Sequence, residues 1–156
     1  MTPAIDLAAK HKIAFKVHQY PHDPNAESYG NEAAIALGLK PRKVFKTLVV
    51  ELNTKELIVG IVPVSGSLNL KAIASAAKAK KAIMADKVKV QRTTGYVLGG
   101  VSPLGQRKQL TTVIDNSAND FNTIFVSAGK RGLDIELNAS DLARLTNASF
   151  AAISKP

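Results

Sequence analysis

The sequence predicts an α+β fold: one domain built on a mixed, strongly curved β-sheet or partial barrel, with short helices around it. Three observations carry this. The centre of the chain is dense in short Val-, Ile- and Leu-rich runs bounded by turn residues. The helical patterns are brief and dispersed among them. The 156 residues, 46% of them hydrophobic, show no second composition regime, internal repeat or linker, so the whole of 1–156 is expected to form one domain with one core.

In chain order, Thr2 is placed to cap a first helix with Pro3 at its first position, where a missing N–H costs nothing. Ala14 to Tyr20 alternates, with Phe15 and Val17 on one side and Lys16, His18 and Tyr20 on the other, as in a half-buried strand. Asn31 to Leu37 reads as a helix stopped by Gly38. Val44–Leu52 and Glu56–Val64 read as two strands of a hairpin around Asn53-Thr54-Lys55. Ser67 is expected to cap a helix from Leu68 to about Lys78. A short strand at Ala82–Ala85 should follow, then a basic helix capped by Asp86 and running through Arg92. Tyr96–Leu98, Leu110–Ile114, Thr123–Ser127 and Leu133–Leu137 read as strands. Asn138 is expected to cap a last helix to Leu145, with Asp141 in the capping-box position, and Phe150–Ile153 to add an edge strand.

Charge narrows the partners. The formal net charge is +9, which favours a polyanion through phosphate contacts and counterion release. The cations cluster. Lys78, Lys80, Lys81, Lys87, Lys89 and Arg92 share their stretch with one acid, Asp86; Lys40, Arg42, Lys43 and Lys46 have none among them; Lys130 and Arg131 sit in a tight turn expected to be an exposed basic tip. Aromatics are few and tryptophan is absent, which disfavours an extended base-stacking platform and favours a folded RNA end. With no cysteine, disulfides, thiolate metal sites and an enzyme-borne thiol nucleophile are excluded. No apolar run is long enough for a bilayer and no secretory leader opens the chain, so a cytoplasmic protein without membrane contact is expected.

Candidate chemistry begins at Lys46, a lone cation in the apolar run Val44-Phe45-Lys46-Thr47-Leu48-Val49-Val50. Such a lysine must snorkel, pair or face a cavity; it suits phosphate binding or polarisation of an ester carbonyl, and equally an edge strand guarded against aggregation. Gly99-Gly100 opens Gly99-Gly100-Val101-Ser102-Pro103-Leu104-Gly105, where bare backbone N–H groups would hold a carbonyl, or where a bulge and turn would form. Asp134 is an acid entering an apolar strand after Ser127-Ala128-Gly129-Lys130-Arg131-Gly132. Neither a P-loop nor a serine nucleophile elbow is present. His11, His18 and His22 fall on different predicted elements, so no metal and no cofactor is expected.

These pieces, taken in order, resemble the YbaK/prolyl-tRNA editing-domain family. The resemblance runs nearly end to end, through Met1-Thr2-Pro3-Ala4, Tyr20 with His22-Asp23-Pro24, Gly38-Leu39, Phe45-Lys46-Thr47-Leu48, Thr93-Thr94-Gly95-Tyr96, the Gly99–Gly105 segment and Gly129-Lys130-Arg131-Gly132-Leu133-Asp134-Ile135-Glu136-Leu137. It is similar to the free-standing branch that clears cysteine from tRNA(Pro). The resemblance implies that Lys46 with Gly99 and Gly100 forms the catalytic group, and that Tyr20, Tyr29, Thr47, Ser127 and Asp134 line the substrate pocket; Tyr29 stands where relatives tend to have phenylalanine. It implies deacylation of Cys-tRNA(Pro), and of Cys-tRNA(Cys), by attack of the substrate's own thiol on its ester. An aminoacyl-tRNA acceptor end and prolyl-tRNA synthetase are the implied partners. On this reading Lys40, Arg42, Lys43, Lys80, Lys81, Lys87, Lys89, Arg92, Lys130 and Arg131 meet tRNA phosphates. Two alternatives stand beside it: hydrolysis of Ala-tRNA(Pro) by water, and a non-catalytic tRNA- or synthetase-binding module.

Overall fold

A computed structural model describes residues 1–25 and 29–156. Helix α1 (Pro3–Lys10) starts as expected: Thr2 Oγ1 accepts from the Ile5 N–H, and Pro3 occupies the first position. The same hydroxyl donates to the Ala128 carbonyl at 2.5 Å, which ties the helix to the strand beneath it. Strand β1 (Phe15–Gln19) leads to α2 (Tyr29–Leu37). A 3₁₀ turn at Pro41–Lys43 delivers the chain into the hairpin β2 (Phe45–Leu52) and β3 (Leu57–Pro63).

Next come β4 (Ser67–Leu68), α3 (Leu70–Ala76), β5 (Ala82–Met84) and α4 (Lys87–Thr94). The helix expected from Leu68 starts later. Ser67 and Leu68 pair instead with the C-terminal residues Lys155 and Ser154, and the cap is Asn69, whose Oδ1 accepts from Ala72 N–H. Asp86 caps α4 through Val88 and Lys89 N–H, and Gly95 closes that helix at φ +82°. The chain ends with β6 (Thr111–Asp115), β7 (Ile124–Lys130), β8 (Leu133–Leu137), α5 (Ala139–Thr146), β9 (Ser149–Ala151) and β10 (Ser154–Lys155).

The expected α+β fold with mixed sheets is found, and among the described residues its strands form three ladders. Five strands lie in the order β5-β2-β3-β6-β9, antiparallel through β2 and parallel from β3 to β9; three form the antiparallel ladder β1-β8-β7; β10 and β4 pair alone. Among the described residues one bridge, Val44 to Phe125, joins the two larger sheets, so they wrap a common core without closing a barrel. Phe45, Val49, Val59 and Ile61 face that core with α1, Val126, Ile135 and Leu142. Val50, Ile58 and Val62 face the other way, onto α3. Gly60 makes that packing possible, because a Cβ there would meet the Ile73 side chain at 2.8 Å.

Other expectations are corrected. Tyr96–Leu98 is not a strand: Tyr96 is buried with its hydroxyl donating to the Leu104 carbonyl, and the Gly100 N–H closes a turn on the Val97 carbonyl. Val17 is 40% exposed, since β1 is the outer strand of its sheet and the core does not extend under it. The final strand divides around buried Ile153, whose N–H is held by Asp115. Asp141 pairs with Arg144 rather than completing a capping box; Asn138 alone caps α5.

Candidate active site

The site grows from the way β2 is paired. One edge of β2 is bonded to β3 along its whole length, from Phe45–Pro63 to Glu51–Leu57. Its other edge meets β5 only at Val50–Leu52. Among the described residues the first half of β2 therefore keeps a bare edge, and a cavity of about 180 Å³ opens there, lined by every residue from Val44 to Leu48. Its opposite wall is the polar face of β8 and β7. In Leu133-Asp134-Ile135-Glu136-Leu137 the leucines and isoleucine enter the core, so alternation turns Asp134 to the other side, level with Ser127 and His18. Helix α2 roofs the space with Tyr29, Gly30 and Ala33, and Leu98, Gly99 and Val101 complete the rim.

Seven of the eight pocket residues expected from the resemblance thus line one cavity: Tyr20, Tyr29, Lys46, Thr47, Gly99, Ser127 and Asp134. Their environments define its chemistry. Lys46 is half-buried, and burial lowers its ammonium below the usual lysine range. It forms no ion pair among the described residues. Thr47 Oγ1 is buried without a hydrogen-bond partner among the described residues, an unusual cost that a ligand polar group would relieve. Asp134 is 5% exposed, and burial lifts its carboxyl to about 7. Tyr20 is pushed up to about 12, first by burial and then by the negative charge of Asp134. Ser127 Oγ accepts from the Gly129 N–H at 3.1 Å.

The two glycines separate. Gly99, at φ +89°, lines the cavity and lies so close to Tyr29 that a Cβ would meet the ring at 3.1 Å. Gly100 does not line it. Its N–H is already donated to Val97, and a Cβ there would meet Lys130 Cα at 2.6 Å. The expected pair of carbonyl-binding N–H groups is therefore corrected: Gly100 lets the loop lie against the β7–β8 turn.

The basic residues divide as well. Lys40, Arg42 and Lys130 are exposed; Lys40 caps the turn that enters β2 and Arg42 lies within it. Lys43 lies beside them with its ammonium 5.7 Å from the Phe125 ring centre. Lys80, Lys81, Lys87, Lys89 and Arg92 sit on or around β5 and α4, beside the opposite end of β2. Lys89 donates to Glu51 at 2.7 Å. Arg131 is no exposed tip. Its guanidinium packs 4.2 Å from the Tyr29 ring centre, lies 3.6 Å from Glu32 and donates to the Asp23 carbonyl. It anchors α2 as the roof of the cavity, a role hidden in the sequence because Arg131 lies far along the chain from Tyr29 and Glu32. Gly30, Ala33, Val44, Phe45, Leu48, Leu98 and Val101 also line the cavity, beyond the residues expected from the sequence; the faint signal was Gly30 and Ala33, two small residues three apart on a short helix.

Among the described residues no group of three or more metal-ligating side chains gathers, and no helix is long and apolar enough to cross a membrane.

Residues 23–145 match the model of the aminoacyl-tRNA editing domain. Over 152 residues the chain is 36% identical to a protein of Enterococcus faecalis assigned as a Cys-tRNA(Pro)/Cys-tRNA(Cys) deacylase, EbsC; the match covers 97% of this chain and 92% of that one. Among solved structures, one assigned as a trans-editing enzyme for prolyl tRNA synthetase superposes with a TM-score of 0.85 at 20% identity, covering 99% of this chain and 96% of that one. The hypothetical protein APE2540 superposes at 0.86 and 21% identity, covering 98% and 99%. The fold is thus shared with these structures, and the chain belongs to the aminoacyl-tRNA editing family.

Proposed function

We propose that this protein is a free-standing aminoacyl-tRNA deacylase that removes cysteine from mischarged tRNA(Pro), and from tRNA(Cys), with residues 1–156 acting as a single editing unit. The observation that carries the reading is Lys46: a half-buried, unpaired ammonium at the bare edge of β2, beside the orphaned hydroxyl of Thr47. An unpaired cation in a concave, partly desolvated site is complementary to phosphate or to charge developing on an ester oxygen. The identity to the Enterococcus deacylase supports cysteine as the amino acid.

The cavity favours a reaction in which the substrate supplies the nucleophile. Among the described residues Ser127 has no histidine bonded to it, and its contact with the Gly129 N–H supplies no base to activate its hydroxyl. In the proposed reaction the cysteine sulfur attacks the ester carbonyl. A C–S bond forms, the C–O bond to the terminal ribose breaks, and the thiol proton passes to the departing ribose oxygen. The thiolactone released is then opened by water to free cysteine. Lys46 would hold the terminal phosphate or the carbonyl oxygen, and the cavity walls would hold sulfur and carbonyl within reach of each other, an effect of positioning. An aminoacyl group without a thiol cannot follow this path. The need for such an editor is physical, because a proline-sized apolar pocket cannot strongly reject cysteine by binding alone.

The basic surface reads phosphate and not sequence. Selectivity for tRNA(Pro) then falls to the charging enzyme, and prolyl-tRNA synthetase is the proposed cytoplasmic partner. The test is deacylation of Cys-, Ser- and Ala-tRNA(Pro) by the purified protein, with and without that synthetase. Cleavage confined to the cysteinyl substrate is expected. Equal cleavage of Ala-tRNA(Pro) would establish the water-dependent reaction instead, and no cleavage of any would leave a binding module.

A further inference from the structure

The reaction just proposed makes no use of Asp134, although that residue carries the least expected charge in the cavity. Its side chain is 5% exposed and lines the wall opposite β2. It sits on one row with His18 and Ser127, yet His18 turns to Glu136 at 2.9 Å and Ser127 to Gly129. Arg131, the nearest arginine in the chain, is engaged by Glu32 and Asp23. Lys46 lines the same cavity but closes no ion pair with it, and no hydrogen bond reaches the Asp134 carboxylate from any described residue.

A buried carboxylate without a partner is costly. Here it faces an equally unpaired ammonium across one space. Two opposite charges that do not meet are complementary to a ligand bearing both signs in the reverse order. The end of an aminoacyl-tRNA is such a ligand: it carries phosphate on one side of the ester and a free α-ammonium on the other. We propose that Asp134 receives the α-ammonium of the aminoacyl ester, so that the cavity selects for a free amine as well as for a thiol. This rests on the deacylase reading above. It extends that reading to a substrate class: esters whose amine is acylated, peptidyl-tRNA among them, offer a neutral and bulkier amide and are excluded. The rival role for the same carboxylate is general base toward the thiol.

The experiment uses the full-length protein with Cys-tRNA(Pro) and with 3-mercaptopropionyl-tRNA(Pro), which keeps thiol and ester and lacks only the amine. Each kcat/KM is divided by the uncatalysed cleavage rate of the same ester, which removes the amine's own effect on ester reactivity. For the wild type the corrected value is expected to fall on the order of 100-fold when the amine is absent, the usual scale for deleting one member of a buried charge pair. Asp134→Asn should lose a similar factor on Cys-tRNA(Pro) and almost nothing further on the deaminated ester, so the two deletions are not additive. N-acetyl-cysteinyl-tRNA(Pro) should be resistant for both proteins. Equal losses on both esters in Asp134→Asn would establish the general base and overturn the proposal. Undiminished cleavage of the deaminated ester by the wild type would overturn it without any variant, and would leave the deacylase reading standing. Failure of the wild type on Cys-tRNA(Pro) would overturn both.

Discussion

Two lysines, one near the start of β2 and one on α4 beside the far end of that strand, stand in opposite circumstances. At its start, Lys46 and the facing Asp134 are buried or half-buried, unpaired and shifted toward their neutral forms. At its far end, Lys89 is bonded at 2.7 Å to Glu51, and that hydrogen bond holds the Glu51 carboxyl below the usual range. One end carries charges that the fold alone does not satisfy, and the other carries charges that it does. Groups meant for a ligand are a standing cost to stability until the ligand comes, whereas a structural pair contributes in its absence. On the proposed reading, function in this chain follows isolation of charge and not its density.

The largest expected effect tests the unsatisfied end. Lys46→Ala should lower kcat/KM for Cys-tRNA(Pro) by about 100- to 1,000-fold, the scale of one preorganised electrostatic contact. Its melting temperature should match or exceed the wild type, because the change removes a desolvated, unpaired ammonium. Lys46→Arg should fail as well, since a planar fork does not fit a site built around a point charge. Near-normal turnover in Lys46→Ala would remove this residue from the reaction.

Gly100→Val is next, and it sharpens the contrast between the two glycines. The new side chain would strike the Lys130 backbone, so destabilisation of about 1–3 kcal/mol is expected, read as a lower midpoint in urea. Activity per folded molecule should persist. An unchanged midpoint with lost activity would return Gly100 to the catalytic group.

Asp134→Asn tests the cost directly. The folded-state carboxyl lies at about 7 against an ordinary value of 3.8. Folding therefore favours the protonated form, and the stability penalty grows from about pH 4 and is complete above about pH 7. The variant has no such titration. It should melt above the wild type at pH 8 and level with it near pH 4. A gain independent of pH would mean that the ionised carboxylate is not what costs the fold its stability.

How much of this was legible in the sequence follows the same division. The hairpin, the caps at Thr2, Asp86 and Asn138, and the run Leu133–Leu137 were readable because each rests on local chemistry. Lys46 and Asp134 were readable because a charge breaking an apolar alternation is conspicuous within a few residues. What failed was long-range. Ser67 resembles a cap until Lys155 pairs with it, and Arg131 resembles an exposed tip until α2 brings Glu32 to it. The split into separate sheets depends on where β5 stops covering β2, which no single run of sequence encodes.

The basic surface gives a smaller effect. Replacing Lys40, Arg42 and Lys130 by glutamine should weaken tRNA binding and reduce the slope of log K against log salt by about 0.7–0.9 for each phosphate no longer neutralised. Lys43 is best left intact, because its ammonium also packs against Phe125. The same change at Lys80, Lys81, Lys87 and Arg92 should reduce the slope less, since those residues flank the far end of β2. From Lys46 to Val50, where β5 pairing begins, the strand advances about 13 Å. A larger reduction from the far group would show that the bound tRNA runs toward α4.

The smallest effect belongs to Lys89 itself. Its side chain is about half exposed and its partner Glu51 is largely covered, so the pair is neither a free surface contact nor a buried one. Partly exposed pairs of this kind stabilise a fold only weakly. Lys89→Gln should lower the urea midpoint slightly at pH 7, and less in high salt, where the attraction is screened. The sign with pH is fixed by Glu51. Its carboxyl titrates below the unfolded value, so the contribution is present above the ordinary carboxylate range and is lost as pH falls through the depressed one. The wild-type advantage over Lys89→Gln should therefore vanish in acid. Turnover on saturating Cys-tRNA(Pro) should not move, because the residue lies beside the satisfied end of the strand. A drop in turnover with unchanged stability would mean that Lys89 leaves Glu51 to meet the substrate, and the two ends of β2 would then differ less than their partners indicate.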